Sequence, residues 1–148
     1  MIVRIAFGAD HGGFELKNAL IEFVRSIGHA ALDCGVNRNE SVDYPDYARA
    51  VGELIVSGKA DVGVLICRTG IGMCMAANKI PGIRAAIGYH NEVARLSRLH
   101  NNANVLCFGA DFSNIESARG ILKTWLDTPF SGENRHIKRV DKIMKLEQ

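Results

Sequence analysis

A cysteine at the mouth of a glycine turn carries most of the chemistry legible in this chain. Cys67 follows the apolar run Val62 to Ile66 and opens Cys67-Arg68-Thr69-Gly70-Ile71-Gly72-Met73. The run is β-branched-rich and continuous, which predicts a parallel strand covered on both faces. Helix formers then extend over Met73 to Lys79, until Pro81-Gly82 stops them. Strand, glycine turn and helix in this order leave the N–H groups of the turn without intrahelical partners, and the helix dipole adds positive potential. Such a turn suits anionic oxygen, and a thiol facing it beside Arg68 can serve as nucleophile or base. Thr69 either caps the helix or orients a bound oxygen.

Other residues could act with this thiol. His11 and His100 are either loop residues with satisfied hydrogen bonds or a general acid and base working near neutral pH. Asp10 is a turn residue or a partner for a substrate hydroxyl. Tyr44, ahead of Pro45, could be a surface staple. In the tail, Arg135 and Arg139 lie four residues apart on one helical face, either solvated or forming a fork for a phosphate dianion. Ile137, Val140, Ile143 and Met144 line another face of that helix. Cys34, Cys74 and Cys107 read as core.

Positioning these groups falls to alternating elements. Strands are expected at Ile2 to Phe7, Ala30 to Cys34, Val62 to Ile66, Ile83 to Ile87 and Asn104 to Phe108. Between them come helical patterns from Phe14 to Gly28, from Pro45 to Gly58, from Met73 to Lys79, and from Val93 to His100. Two more follow, Ile115 to Leu126 and Arg135 to Leu146; residues 35–44 form a polar loop. Parallel strands need crossovers, and right-handed crossovers put helices on both faces, so the fold class is α/β with a five-stranded parallel sheet in three layers. Ligands in such folds bind at the carboxyl ends of strands. The loops carrying Asp10 and His11, Tyr44, Cys67 to Gly72, and His100 with Asn101 are therefore expected to converge. Gly8-Ala9-Asp10-His11-Gly12-Gly13 lacks the glycine order of a dinucleotide site, which argues against a nicotinamide cofactor.

Composition narrows the classes. The chain has 148 residues, 47% hydrophobic and 23% charged, as expected of one globular domain spanning 1–148. No apolar run approaches a membrane span and no leader opens the chain, so a cytoplasmic protein without membrane partners is expected. A net charge of +2 gives no argument for nucleic acid. Four cysteines without C-x-x-C spacing predict reduced thiols, not a disulfide or zinc framework.

Asp10-His11-Gly12-Gly13, the Cys67-x-Thr69-Gly70-x-Gly72 turn with Ala76-Ala77-Asn78-Lys79, His100-Asn101-x-Ala103-Asn104-Val105 and Arg135-His136-x-x-Arg139-Val140 occur in order through nearly the whole chain. Together they closely resemble the RpiB/LacAB sugar-phosphate isomerase family. The resemblance implies a Rossmann-like (flavodoxin-like) homodimer, possible as a dimer of dimers, whose C-terminal helix reaches the partner. It implies an aldose–ketose isomerase needing no metal or organic cofactor, interconverting ribose 5-phosphate and ribulose 5-phosphate through an enediolate in the pentose phosphate pathway. Cys67 would move the proton between C2 and C1, and the amides of Gly70, Ile71, Gly72 and Met73 would form the anion hole. His100 with Thr69 would open the furanose ring. Asp10, Tyr44 and Asn101 would hold hydroxyls, and His11, Arg135 and Arg139 the phosphate, the arginines acting in the partner's site.

This chain departs from the family pattern at Arg68, where many relatives have a small residue, and at Asp111, where many carry an arginine near the phosphate. Its tail also reads Gly132-Glu133-Asn134-Arg135 where Gly-Gly-Arg is common. Members lacking the cysteine use a glutamate at the position of Met73; an apolar residue there leaves Cys67 as the base candidate of the turn. Two other readings stay open: isomerisation of a six-carbon sugar phosphate such as allose or galactose 6-phosphate, and a non-catalytic phosphate- or nucleotide-binding module.

Overall fold

The computed structural model describes residues 1–38 and 40–147. Asn39, within the expected polar loop, and Gln148 lie outside the described residues. Five strands form one parallel sheet: β1 (Arg4–Ala9), β2 (Ala30–Asp33), β3 (Val62–Cys67), β4 (Ala85–Ile87) and β5 (Val105–Gly109). Among the described residues six α-helices connect and follow them: α1 (Phe14–Ser26), α2 (Tyr44–Val56), α3 (Ile71–Ala77), α4 (Asn91–Leu99), α5 (Ile115–Asp127) and α6 (Asn134–Lys145). The α/β class and the three layers expected from the alternation are present.

Boundaries differ where side chains replace backbone partners. β4 starts at Ala85 and not Ile83, because the N–H of Arg84 donates to the Asn104 side chain at 2.7 Å while the Asn104 amide donates to the Gly82 carbonyl at 2.9 Å. β1 starts at Arg4, after an exposed Ile2, and runs on to Ala9. α3 starts at Ile71, two residues before the helix formers do.

The sheet order is β2-β1-β3-β5-β4. In the flavodoxin-like order the last two strands run 4-5 outward; here β5 returns to sit between β3 and β4. That return decides which helix covers which face. Right-handed crossovers put α2 and α3 on one face, and the reversed step from β4 to β5 sends α4 to the other, with α1 and α5. Packing agrees: Leu16, Leu20, Val24, Ala94, Leu122 and Trp125 meet Ile5, Phe7, Val64, Ile66, Leu106 and Phe108 on one face. Ala48, Val51, Met73 and Ala77 meet Ala6, Leu65, Cys67, Val105 and Cys107 on the other. The Cys67 side chain is therefore on the α3 side of the sheet.

Lys17, on the inner face of α1, is fully buried and makes an ion pair of 2.7 Å with Asp33 at the end of β2. A buried ammonium is tolerated only when paired. Among the described residues, no helix is long and apolar enough to cross a membrane.

Candidate active site

The register of β1 and β3 brings the first two motifs together. Ala9 pairs with Ile66, and the N–H of Asp10 donates to the Ile66 carbonyl at 3.1 Å, so the turns after the two strands leave the sheet side by side. This is the switch point, since β1 runs to β2 on one side and β3 lies on the other.

Cys67 is 5% exposed, and its Sγ accepts the N–H of Gly70 at 3.2 Å. Gly70 has φ +79°, a left-handed conformation that glycine adopts without strain, and this bends the chain into α3. Thr69 Oγ1 accepts the N–H of Ile71 at 3.2 Å, but Thr69 is the residue before the N-cap, which is Gly70 and carries no side-chain cap. Two of the unpaired N–H groups of this helix start are thus taken by the turn itself. Those of Gly72 and Met73 have no acceptor among the described residues. Tyr44 covers Gly72 closely: a Cβ at that position would lie 2.6 to 2.8 Å from its Cζ, Cε1 and hydroxyl. The Tyr44 phenol therefore stands at the N-terminus of α3.

On the neighbouring turn, a 3-10 turn over His11–Gly13, Asp10 Oδ1 accepts the N–H groups of Gly12 at 2.9 Å and Gly13 at 3.2 Å. Asp10 thus caps the turn with its Oδ1. The Nδ1 of His11 is buried and has no partner among the described residues. Arg68 reaches across Gly12, where a Cβ would stand 2.8 Å from its Cγ, and its Nη1 donates to Asp111 at 3.4 and 3.5 Å. Asp111 is thus paired with a cation.

The expected convergence of His100 and Asn101 with this group does not occur within one chain. α4 runs from the carboxyl end of β4 back toward the amino end of β5, so its C-terminal residue delivers His100 to the opposite edge of the sheet, about a strand's length or ~20 Å away. Asn102 and Asn104 share a cleft there with Met1 to Arg4 and Asp61-Val62, the amino ends of β1 and β3. His100 thus sits at the end of the fourth helix, as expected, but away from the strand-end loops it was expected to join. The tail joins it: the rings of His100 and His136 are 4.3 Å apart, and Ser131 Oγ lies 2.6 Å from His136 Nδ1. Arg135 and Arg139 on α6 are exposed, Arg135 donating to Glu133 at 3.0 Å. Of the apolar face expected on α6, Val140 is buried, while Ile137 and Ile143 stay 41% and 46% exposed.

Three further residues lie outside the motifs. Tyr89 donates its hydroxyl to the carbonyl of Thr69, bracing the cysteine turn. His90 caps α4 by accepting the N–H of Glu92 at 3.1 Å. Both follow β4 at its carboxyl end, where the strand-end rule would have found them. His136 is the third; burial, His100 and the nearby Arg135 and Arg139 push its imidazole below the ordinary value. Of the three thiols expected in the core, Cys107 is buried while Cys34 and Cys74 are only partly so; a hydrogen bond with Cys107 lowers Cys74 to about 7, and Cys107 is pushed up by that bond and its burial.

A parallel α/β sheet with a buried thiol and a helix N-terminus at its switch point suits a class, enzymes that stabilise a developing oxyanion beside a base. Comparison narrows it. Residues 5–143 match the family described as Ribose/Galactose Isomerase. The chain is similar to ribose-5-phosphate isomerase B of Escherichia coli (strain K12), 42% identical over 145 residues, covering 98% of this chain and 97% of that one. It is 35% identical to ribose-5-phosphate isomerase B of Mycobacterium tuberculosis (strain H37Rv) over 99% of this chain and 91% of the relative. Among solved structures, ribose-5-phosphate isomerase B of Clostridium thermocellum superposes with a TM-score of 0.95 at 45% identity, covering 97% of each chain. The Trypanosoma brucei type B ribose 5-phosphate isomerase superposes at 0.96 and 44% identity, covering 99% of this chain and 100% of that one. The chain belongs to the Ribose/Galactose Isomerase family, whose members named here are aldose–ketose isomerases.

Proposed function

We propose that this chain is a ribose-5-phosphate isomerase, one domain that interconverts D-ribose 5-phosphate and D-ribulose 5-phosphate through an enediolate, with Cys67 as the base. The observation that carries the reading is the Cys67 Sγ held 3.2 Å from the Gly70 N–H at the start of α3. This hydrogen bond holds the sulfur at the start of the helix, facing the turn in which a substrate carbonyl would lie. The C2 proton of the aldose passes to sulfur as the C1 carbonyl oxygen takes up negative charge; the O2 hydroxyl proton then moves to O1, and return of the sulfur-bound proton to C1 leaves the carbonyl at C2. In this reading the N–H groups of Gly72 and Met73, which have no acceptor among the described residues, receive that oxygen, with the Tyr44 hydroxyl beside them. Gly70 and Ile71 belong to the same cradle, their N–H groups serving Cys67 and Thr69.

Ring opening needs a second acid–base group, and a single chain does not bring one from α4 to its own thiol. In this reading His100, with Asn101, Arg135 and Arg139, acts in the site of a second copy, while Asp10, His11, Tyr44, Thr69 and Cys67 act in their own. The separation of the two groups at opposite ends of the sheet and the uncovered Ile137 and Ile143 support such a homodimer. Asp10 and Asn101 hold hydroxyls; His11 and the two arginines hold phosphate. A cytoplasmic location belongs to the same reading.

The test is turnover of a panel of aldose phosphates by the purified chain. Ribose 5-phosphate is expected to be isomerised fastest. A preference for allose 6-phosphate or galactose 6-phosphate would move the substrate to six carbons, and no turnover of any of them would overturn the reading.

A further inference from the structure

The contact between Arg68 and Asp111 has no evident role in holding the fold. The two side chains are 61% and 47% exposed, and at 3.4 and 3.5 Å the contact is longer than the ~2.7–2.9 Å of a tight charge-assisted bond. Exposed pairs of this kind add little to stability. Their placement is nevertheless specific. The Asp111 N–H donates to the Arg68 carbonyl at 3.0 Å, which holds the two residues abreast beyond the carboxyl ends of β3 and β5. From there the Arg68 stem crosses Gly12, with Cγ and Nε at 2.8 and 3.5 Å from where a Cβ would be. It thereby leads from the residue after the thiol to the turn holding His11, whose buried Nδ1 has no partner among the described residues. An extended arginine is about as long as a pentose carbon chain. With the reacting carbons at Cys67, the far end of a linear sugar phosphate falls where this guanidinium can meet it.

We propose that Arg68 binds the substrate phosphate within its own chain, and that Asp111 is the exchangeable counterion it gives up when phosphate arrives. The proposal rests on the sugar-phosphate reading above and adds a residue to it. A guanidinium fork matches phosphate in paired hydrogen bonds, and the dianion outcompetes a single, loosely seated carboxylate. Asp111 keeps the fork extended and neutralised while the site is empty. It also opposes binding, because its charge stays near the phosphate after exchange.

Inorganic phosphate titrated into the full-length chain by calorimetry tests this directly. Arg68→Ala is expected to weaken phosphate binding about tenfold or more, and Asp111→Asn to strengthen it severalfold. In Arg68→Ala/Asp111→Asn most of the Asp111 effect should be gone, since there is no fork left to free. In kinetics, Arg68→Ala should raise KM for ribose 5-phosphate with a much smaller change in kcat. Unchanged phosphate affinity in Arg68→Ala overturns the proposal. So does a loss in Asp111→Asn equal to that in Arg68→Ala, which would make Asp111 a positioning residue. Both side chains are exposed, so the variants should fold, as unaltered melting temperatures would verify. If phosphate binding depends on Arg68 in a chain that isomerises no aldose phosphate, the substrate reading fails and the anion site stands.

Discussion

His100 and His136 stack with ring centroids 4.3 Å apart and planes inclined by 34°, joining the end of α4 to the first turn of α6. The contact ties a candidate ring-opening imidazole to the helix that carries Arg135 and Arg139. Whatever site one of these residues serves, the others accompany it.

Cys67→Ala removes the proposed base and leaves a cavity the size of one sulfur. General-base contributions are typically ~10²–10⁴-fold, and the loss should appear in kcat, with circular dichroism and melting close to those of the unmodified chain. Near-full turnover in the folded variant would exclude Cys67 as base. Cys74 complicates thiol titrations, being lowered to about 7, so pH-dependent alkylation of Cys67 is best followed in a Cys74→Ser background.

His100→Asn should distinguish ring opening from proton transfer. Ribose 5-phosphate is mostly cyclic and ribulose 5-phosphate cannot close to a furanose. Single-turnover measurements should therefore show a large loss from the aldose side and a small one from the ketose side. Equal losses in both directions would make His100 structural.

Mixing two inactive chains tests the shared site. A Cys67→Ala subunit retains an intact His100, Arg135 and Arg139, and an Arg135→Ala/Arg139→Ala subunit retains an intact Cys67. In a hybrid dimer one of the two sites is complete. With free exchange half the dimers are hybrid, so about a quarter of full activity should return. No recovery, once exchange is shown by tagged subunits, would mean that the arginines act within their own chain.

The pH dependence of the α6 attachment follows from His136. Its folded-state value lies below the ordinary 6.5 because burial and the charges of His100, Arg135 and Arg139 oppose protonation, with Glu133 acting the other way. On acidification the unfolded chain therefore takes up the proton first. The stabilisation is complete above 6.5 and is lost as pH falls through the depressed folded value. Melting temperatures measured from about pH 8 to about pH 5 should fall more steeply for the unmodified chain than for His136→Gln. Parallel curves would show that the ring is indifferent to charge.

Much of this was legible in the chain because periodicity and strand-end chemistry are local. Val62 to Ile66 could only be a covered strand, and the turn after it placed Cys67 against a helix start. Lateral order was not legible: nothing in Ala85 to Ile87 or Val105 to Gly109 says which is the edge, and the exchange of those two strands moved α4 to the other face. His100 was misplaced for a related reason, since a residue ending a crossover helix lies at the amino edge and only the start of that helix belongs with the site. Lys17 was missed as well. It occupies an inward position between Phe14 and Ile21 on α1, and its acceptor, Asp33, comes from a strand sixteen residues on. A pairing of that kind has no local pattern.

The late insertion of β5 has a consequence for how the chain assembles. β4 is hydrogen-bonded to β5 and to no other strand, and β5 joins it to β3 through pairs such as Gly63 with Val105, forty-two residues apart. During synthesis β4 therefore emerges with nothing to pair with, and its place in the sheet exists only after Gly109 has left the ribosome. Contacts so distant in sequence slow folding. A nascent chain halted before Val105 should hold β1, β2 and β3 as a three-stranded core, its growing edge open to other chains and the segment from Pro81 onward accessible to protease.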